Sequence, residues 1–114
     1  MGAIIRFSAL SSARRSLVRL CQRIDYGQII DLHVDKHGEP TLEPGPVVLA
    51  DIKLDGQTLP RRELLLEDFE LSAEFLRLME LLDRLRDGCI ERIYVMAGLP
   101  KRISVRTAYR EVTR

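Results

Sequence analysis

Hydrophobic positions along this chain follow two rhythms. Leu17, Leu20, Cys21 and Ile24 recur at the i, i+3, i+4, i+7 spacing of an amphipathic helix. Ser11 and Ser12 precede them and can cap a helix N-terminus, so the spacing predicts a helix from about Ala13 to Asp25. Tyr26-Gly27 closes it, with Gly27 supplying the left-handed conformation that helix ends use. Ile30, Leu32 and Val34 then alternate with Asp31, His33 and Asp35, the period of a half-buried strand. Lys36-His37-Gly38 reads as a hairpin turn, and the return strand, about Thr41 to Glu43, is kept short by Pro40 and Pro44. Val48, Ala50, Ile52 and Leu54 alternate with Leu49, Asp51, Lys53 and Asp55, which predicts another half-buried strand.

Gly56 to Arg62 is the longest polar connection, and Leu64-Leu65-Leu66 after it carries no period. Phe69, Phe75, Leu76, Met79, Leu82 and Leu85 form the apolar face of a second helix from about Ser72 to Arg86, stopped by Asp87-Gly88. Its acids lie early and Arg84 and Arg86 late, as the helix dipole favours. Ile90, Ile93 and Val95 lead to a turn at Gly98-Leu99-Pro100, and Ile103 and Val105 return. The expected fold is a single α+β domain spanning 1–114, with two amphipathic helices on one face of an antiparallel sheet of four to five strands.

The halves also match each other. Gly27, Ile29, Leu32, Val34, Gly38 and Pro40 correspond to Gly88, Ile90, Ile93, Val95, Gly98 and Pro100, with one residue less in the second turn. Each block follows an apolar-apolar-Arg-Leu segment, Leu17-Val18-Arg19-Leu20 and Phe75-Leu76-Arg77-Leu78. This reads as a helix-plus-hairpin repeat, with units at about 13–43 and 69–108 and a linker at about 55–67. Any helix that passes through glycine into a hairpin gives a similar pattern. The first unit, through Ile24-Asp25-Tyr26-Gly27 and Val34 to Pro40, resembles small uncharacterised bacterial proteins in which a Leu-rich helix ends in a Tyr-Gly step before a hairpin. That resemblance implies a bacterial origin and carries no activity with it.

Composition changes the picture by exclusion. At 114 residues, 46% hydrophobic and 31% charged, the chain suits one globular core and not a disordered or low-complexity segment. No apolar run reaches the length of a membrane span, and Arg6 interrupts the short apolar stretch Ala3 to Ile5 where a secretory signal would need continuity. Cys21 and Cys89 lack a CxxC spacing, so the expectation is buried free thiols in a reducing cytoplasm. Net charge is +1 but segregated: residues 1–23 are +5, residues 24–60 are −5 with two lysines against seven acids, and residues 101–114 are +4. Such asymmetry bears on partners more than on fold.

Three constellations carry candidate chemistry. Asp31, His33, Asp35 and His37 fall at every second residue, so on a strand they share one face, and carboxylate with imidazole at that spacing can hold a metal, joined by Asp51 and Asp55 if the strands are neighbours. The same pattern also describes an exposed polar face. Arg15, Arg19 and Arg23, with Arg14, form a basic stripe on the first helix that can grip phosphates or simply face solvent. On the second hairpin, Arg92, Tyr94 and Met96 with Arg102, Ser104 and Arg106 form a basic outer face around one aromatic, suited to single-stranded nucleic acid. No phosphate-binding glycine loop, GxSxG elbow or HExxH helix occurs, so no catalytic residues and no cofactor are expected.

The favoured expectation is a cytoplasmic interaction or assembly protein that self-associates as a homodimer or binds another protein, without a membrane. Its interface would set Asp31, Asp35, Asp51 and Asp55 against Arg92, Arg102 and Arg106, around Leu49, Tyr94 and Met96. Nucleic-acid binding is the alternative, and a metal-dependent enzyme the outsider.

Overall fold

The computed structural model describes residues 4–56 and 59–106. A single 3-10 turn, Phe7–Ala9, leads into helix α1, Ser12–Ile24, whose N-terminus is capped by the Ser11 hydroxyl accepting the backbone N–H of Arg14. Strand β1, Gly27–Val34, turns into the short β2, Pro40–Thr41, and β3 covers Val47–Ala50. A second 3-10 segment, Arg62–Leu65, accounts for the leucine run without a period. Helix α2, Ala73–Leu85, capped by Ser72, precedes β4, Gly88–Met96, and β5, Leu99–Val105.

All pairings are antiparallel, in the order β2-β1-β4-β5, and β3 pairs with the same edge of β1 as β2, nearer its start. Both helices pack on one face. Leu17, Val18 and Cys21 from α1 and Phe75, Leu78, Met79 and Leu82 from α2 meet Ile29, Leu32, Val34, Ile90, Ile93 and Val95 from the sheet in one core. The α+β expectation stands: two helices lie on one face of a five-stranded antiparallel sheet. No helix among the described residues is long and apolar enough to cross a membrane.

The helices are offset by 61 residues at both ends, Ser12 to Ala73 and Ile24 to Leu85, as are their caps Ser11 and Ser72. The central ladder obeys the same offset: Gly27 pairs with Val95 and Val34 with Gly88, Ile29 pairs with Ile93 and Leu32 with Ile90. Swapping the two strands by 61 positions returns every pair of the ladder except Ile30 with Arg92, whose counterpart, Asp31 with Glu91, falls at the irregularity in β1. Under this offset the two apolar-apolar-Arg-Leu segments, 58 apart, are not equivalent: Leu17 corresponds to Leu78.

Several boundaries differ from the sequence reading for identifiable reasons. In β1 the buried residues are Gly27, Ile29, Leu32 and Val34, so the alternation slips by one at Asp31, whose φ of 59° puts it in the left-handed region. Ile30 therefore turns to the other face, where it is half-buried. In β4 the same three-residue step separates Ile90 from Ile93. Asp25, at φ 64°, is the left-handed residue closing α1, not Gly27. Gly27 is needed instead for close approach, since a Cβ there would sit 2.0 Å from the Leu49 carbonyl oxygen. The strand expected over Val48 to Leu54 stops at Ala50 and is exposed throughout, with Ile52 and Leu54 exposed beyond it, because no element among the described residues covers that edge of the sheet.

Candidate functional site

The face of the sheet opposite the helices has no covering element among the described residues. Two cross-strand rows run over it. One contains Leu49, Gln28, Tyr94 and Arg102, paired in that order from β3 to β5. The neighbouring row contains Val47, Ile30, Arg92 and Ser104. Side chains in such rows stand about 5 Å apart and interact directly. Arg102 places its guanidinium carbon 4.3 Å from the Tyr94 ring centroid and Arg92 lies 6.0 Å away on the same ring, so one tyrosine sits between two cations. Arg92 also donates through Nη1 to the Gln28 side-chain carbonyl. Val47, Leu49 and Met96 are about half exposed at the border of this cluster. Towards the other end of the face, Arg106 pairs with Glu91 at 2.6 Å, and Asp31 is close enough to Arg106 to help hold that guanidinium's pKa up, after Glu91.

The structure thus brings together Arg92, Tyr94, Arg102, Leu49 and Met96 from the expected interface, with Asp31 and Arg106 further along. Asp35, Asp51 and Asp55 do not join them. Asp35 is turned into the hairpin turn, where its carboxylate accepts the backbone N–H groups of His37 at 2.8 Å and Glu39 at 3.0 Å. Those bonds, Glu39 first, lower its pKa below the usual carboxylate value. Asp51 lies past the end of β3, its N–H donating to the Tyr26 carbonyl at the opposite end of β1 from His33. Asp55 is exposed outside any strand. Asp31 and His33 stay on one face of β1, alternating with buried Leu32 and Val34, but Asp35 is bonded into the turn and His37 lies within it, so the four do not form one set. No group of three or more His, Cys, Asp or Glu side chains among the described residues is placed to hold a metal ion.

The basic stripe of α1 is used inside the molecule. Arg15 donates to the Leu10 carbonyl at 2.8 Å. Arg19 donates to the carbonyls of Glu63 and Leu66 and to the Gln22 side chain, and its guanidinium lies 4.4 Å from the Phe7 ring centroid and 5.4 Å from that of Phe69. Arg14, mostly covered, reaches Asp83 at 2.7 Å and the Gly38 carbonyl at 3.0 Å, with Glu39 3.6 Å from its Nε. Arg23 alone of the stripe is exposed. The reason is packing order: the Phe7–Phe69 stack and the 62–65 segment lie over α1, and their open carbonyls need donors.

Several residues were missed in the sequence. Arg61 pairs with Asp25 and Glu63 and lies over the Gly98 turn, fastening the long connection to the end of α1. Beside it an open cleft of about 430 Å³ is bordered by Ile24, Ala50, Ile52, Leu59 and Leu64. Gln28, Val47 and Ile30 complete the sheet face, and only the pairing of β3 with β1 reveals them. Cys21 is buried in the core as expected, where burial pushes its thiol up to about 12. Cys89 is not buried but half-exposed on the outer face. No protein-family model, no curated protein and no solved structure matches this chain.

Proposed function

We propose that this protein is an interaction module that pairs with a second copy of itself across the uncovered face of its sheet. The observation that carries the reading is the two-row cluster of Leu49, Val47, Ile30 and Tyr94 flanked by Arg92 and Arg102 on a face that no element among the described residues covers. Tyrosine, methionine and arginine around an apolar centre are the residue types enriched in protein interfaces. An axis across this face sets Arg92 and Arg102 of one copy against Asp31 and Glu91 of the other, which gives register, while the apolar centre gives affinity. Exposed charge pairs alone contribute about 0–1 kcal/mol each, so the hydrophobic rows dominate. A stable interface needs about 800 Å² from each partner, and exposed Met96 at the border enlarges the patch. The bacterial cytoplasm is the setting of this reading, in keeping with two free cysteines.

Light scattering across micromolar concentrations tests it. A dimer that dissociates on dilution, weakens with Tyr94→Glu or Arg92→Glu, and regains strength when Asp31→Arg is added to Arg92→Glu supports the pairing. A monomer of about 13 kDa at every concentration overturns it.

A second reading rests on Tyr94 lying between two guanidinium groups, a surface on which an unpaired base can stack while the arginines meet phosphates. Titration of a single-stranded oligonucleotide at low and physiological salt separates the readings: steeply salt-dependent binding to the monomer, lost in Tyr94→Ala, favours nucleic acid.

A further inference from the structure

His33 of β1 and Cys89 of β4 are direct register partners. Their neighbours Leu32, Val34 and Ile90 point into the core, so both side chains emerge on the outer face, with Cβ atoms about 5 Å apart by the geometry of such pairs. Both border a shallow groove of about 480 Å³ that also takes in Asp87, Gly88 and Arg106. An imidazole, a thiol and a guanidinium therefore converge on one open depression, at the far end of the sheet from Tyr94.

We propose that this groove is a thiol-reactive site, in which Cys89 is the nucleophile, His33 takes its proton, and Arg106 steers small disulfides that carry a carboxylate. The thiolate is the reactive form of cysteine, and a neighbouring base or cation raises its share at neutral pH. In the step, the Cys89 proton passes to His33 and the Cys89 sulfur attacks one sulfur of the incoming disulfide. The S–S bond of the reagent breaks, a mixed disulfide forms on Cys89, and the departing thiolate leaves with the electron pair and takes a proton from His33 or water. A free thiol reverses the reaction. Nothing is oxidised or reduced beyond the exchange of one disulfide for another.

The charged groups around the pair are Asp87 and Arg106 along the groove, with Glu91 bonded to Arg106 and Asp31 beside it. On the other side of His33 stands Thr41 of β2, which is neutral. Arg106 uses Nε and Nη2 on Glu91, leaving Nη1 outside that pair. Cys21 provides an internal contrast, since it lies in the core with no exposed surface.

The experiment exposes the full chain to an aromatic disulfide with a carboxylate on each ring and follows the released coloured thiolate, with mass spectrometry to place the label. Fast modification of one thiol per chain at Cys89 is expected. His33→Asn, a substitution at an exposed position, should slow labelling about tenfold at neutral pH while the melting temperature stays that of the wild type. Arg106→Gln should erase the preference for the charged reagent over a neutral disulfide. A wild-type labelling rate in His33→Asn, or first modification at Cys21, would overturn the site.

Discussion

The guanidinium carbon of Arg19 lies over the Phe7 ring, 4.4 Å from its centre, while its N–H groups reach carbonyls of the segment that crosses above α1. One side chain thus ties the start of the chain, the first helix and the long connection together. Phe69, stacked on Phe7 at 4.9 Å, brings in the approach to α2 as well. Replacing Arg19 by Ala takes its donor from the Leu66 carbonyl, leaves the Glu63 carbonyl only the Leu66 N–H, and removes the cation from two rings. A loss of roughly 1–3 kcal/mol in urea unfolding is expected. Arg19→Lys should recover little of it, because a point charge cannot serve several acceptors while stacking. Arg23→Ala, on the exposed side of the same helix, should stay within about 0.5 kcal/mol.

Gly27→Ala makes a different prediction, because the new methyl would meet the Leu49 carbonyl at 2.0 Å and Cγ2 of Ile24 at 2.8 Å. Strand β3 must move off β1 to admit it. Accelerated amide exchange confined to β3 and the adjoining end of β1, with the β4–β5 ladder still protected, is the expected pattern. Uniform protection across the sheet would contradict the close approach described above.

Acid should loosen the N-terminal segment first. Asp68 accepts from Arg6 Nε at 2.8 Å, from the Ser8 backbone at 2.9 Å and hydroxyl at 3.0 Å, and from the Phe69 N–H at 2.9 Å. These bonds, Arg6 foremost, hold its pKa well below the usual carboxylate range. A depressed folded-state pKa means that the contribution is complete above the unfolded value, about 3.9, and is lost as pH falls below it. Glu63 and Glu74, lowered by Arg61 and Lys101 respectively, act with the same sign. Unfolding midpoints measured from pH 6 down to pH 2 should therefore fall, and Asp68→Asn should flatten the decline below about pH 4.

Exposure decides the cost of the apolar residues that the sequence pattern treats alike. Leu82 has no accessible surface and Leu54 is 92% exposed. Leu82→Ala should cost about 2–5 kcal/mol through lost burial and a cavity. Leu54→Ser should change stability by less than about 0.5 kcal/mol. Equal losses at the two positions would mean that the 51–56 segment packs against the body of the molecule.

Both helices were readable to within one residue, because each combines a serine cap, a 3.6-residue apolar stripe and a clear stop. Local signals of that kind act within a dozen residues. The strand over Val48 to Leu54 was over-read for the complementary reason: alternation reports what a strand would look like, and burial depends on whether another element arrives to cover it. Ile52 and Leu54 keep the pattern without the partner. Asp31 defeated the period in β1, since its left-handed backbone shifts the register by one and exchanges Ile30 for Ile29 in the core. Of the site, Arg92, Tyr94 and Arg102 follow from alternation alone. The fate of Arg15 and Arg19 does not, because it depends on carbonyls more than forty residues away for Arg19 and on a turn outside the helix for Arg15. His33 and Cys89 meet only through the central ladder, which no local signal announces.

That ladder also sets the order in which the molecule can form. Its pairs are separated by 54 residues between Val34 and Gly88 and by 68 between Gly27 and Val95, whereas β4 and β5 meet through a two-residue turn and each helix closes on itself. Joining segments so far apart carries a loop-closure entropy that local hairpins escape. The slow event in folding is accordingly the meeting of two half-formed units at β1 and β4. Neither half has a complete core before it, so stabilising a single helix should raise the equilibrium population of the native state more than it hastens arrival there.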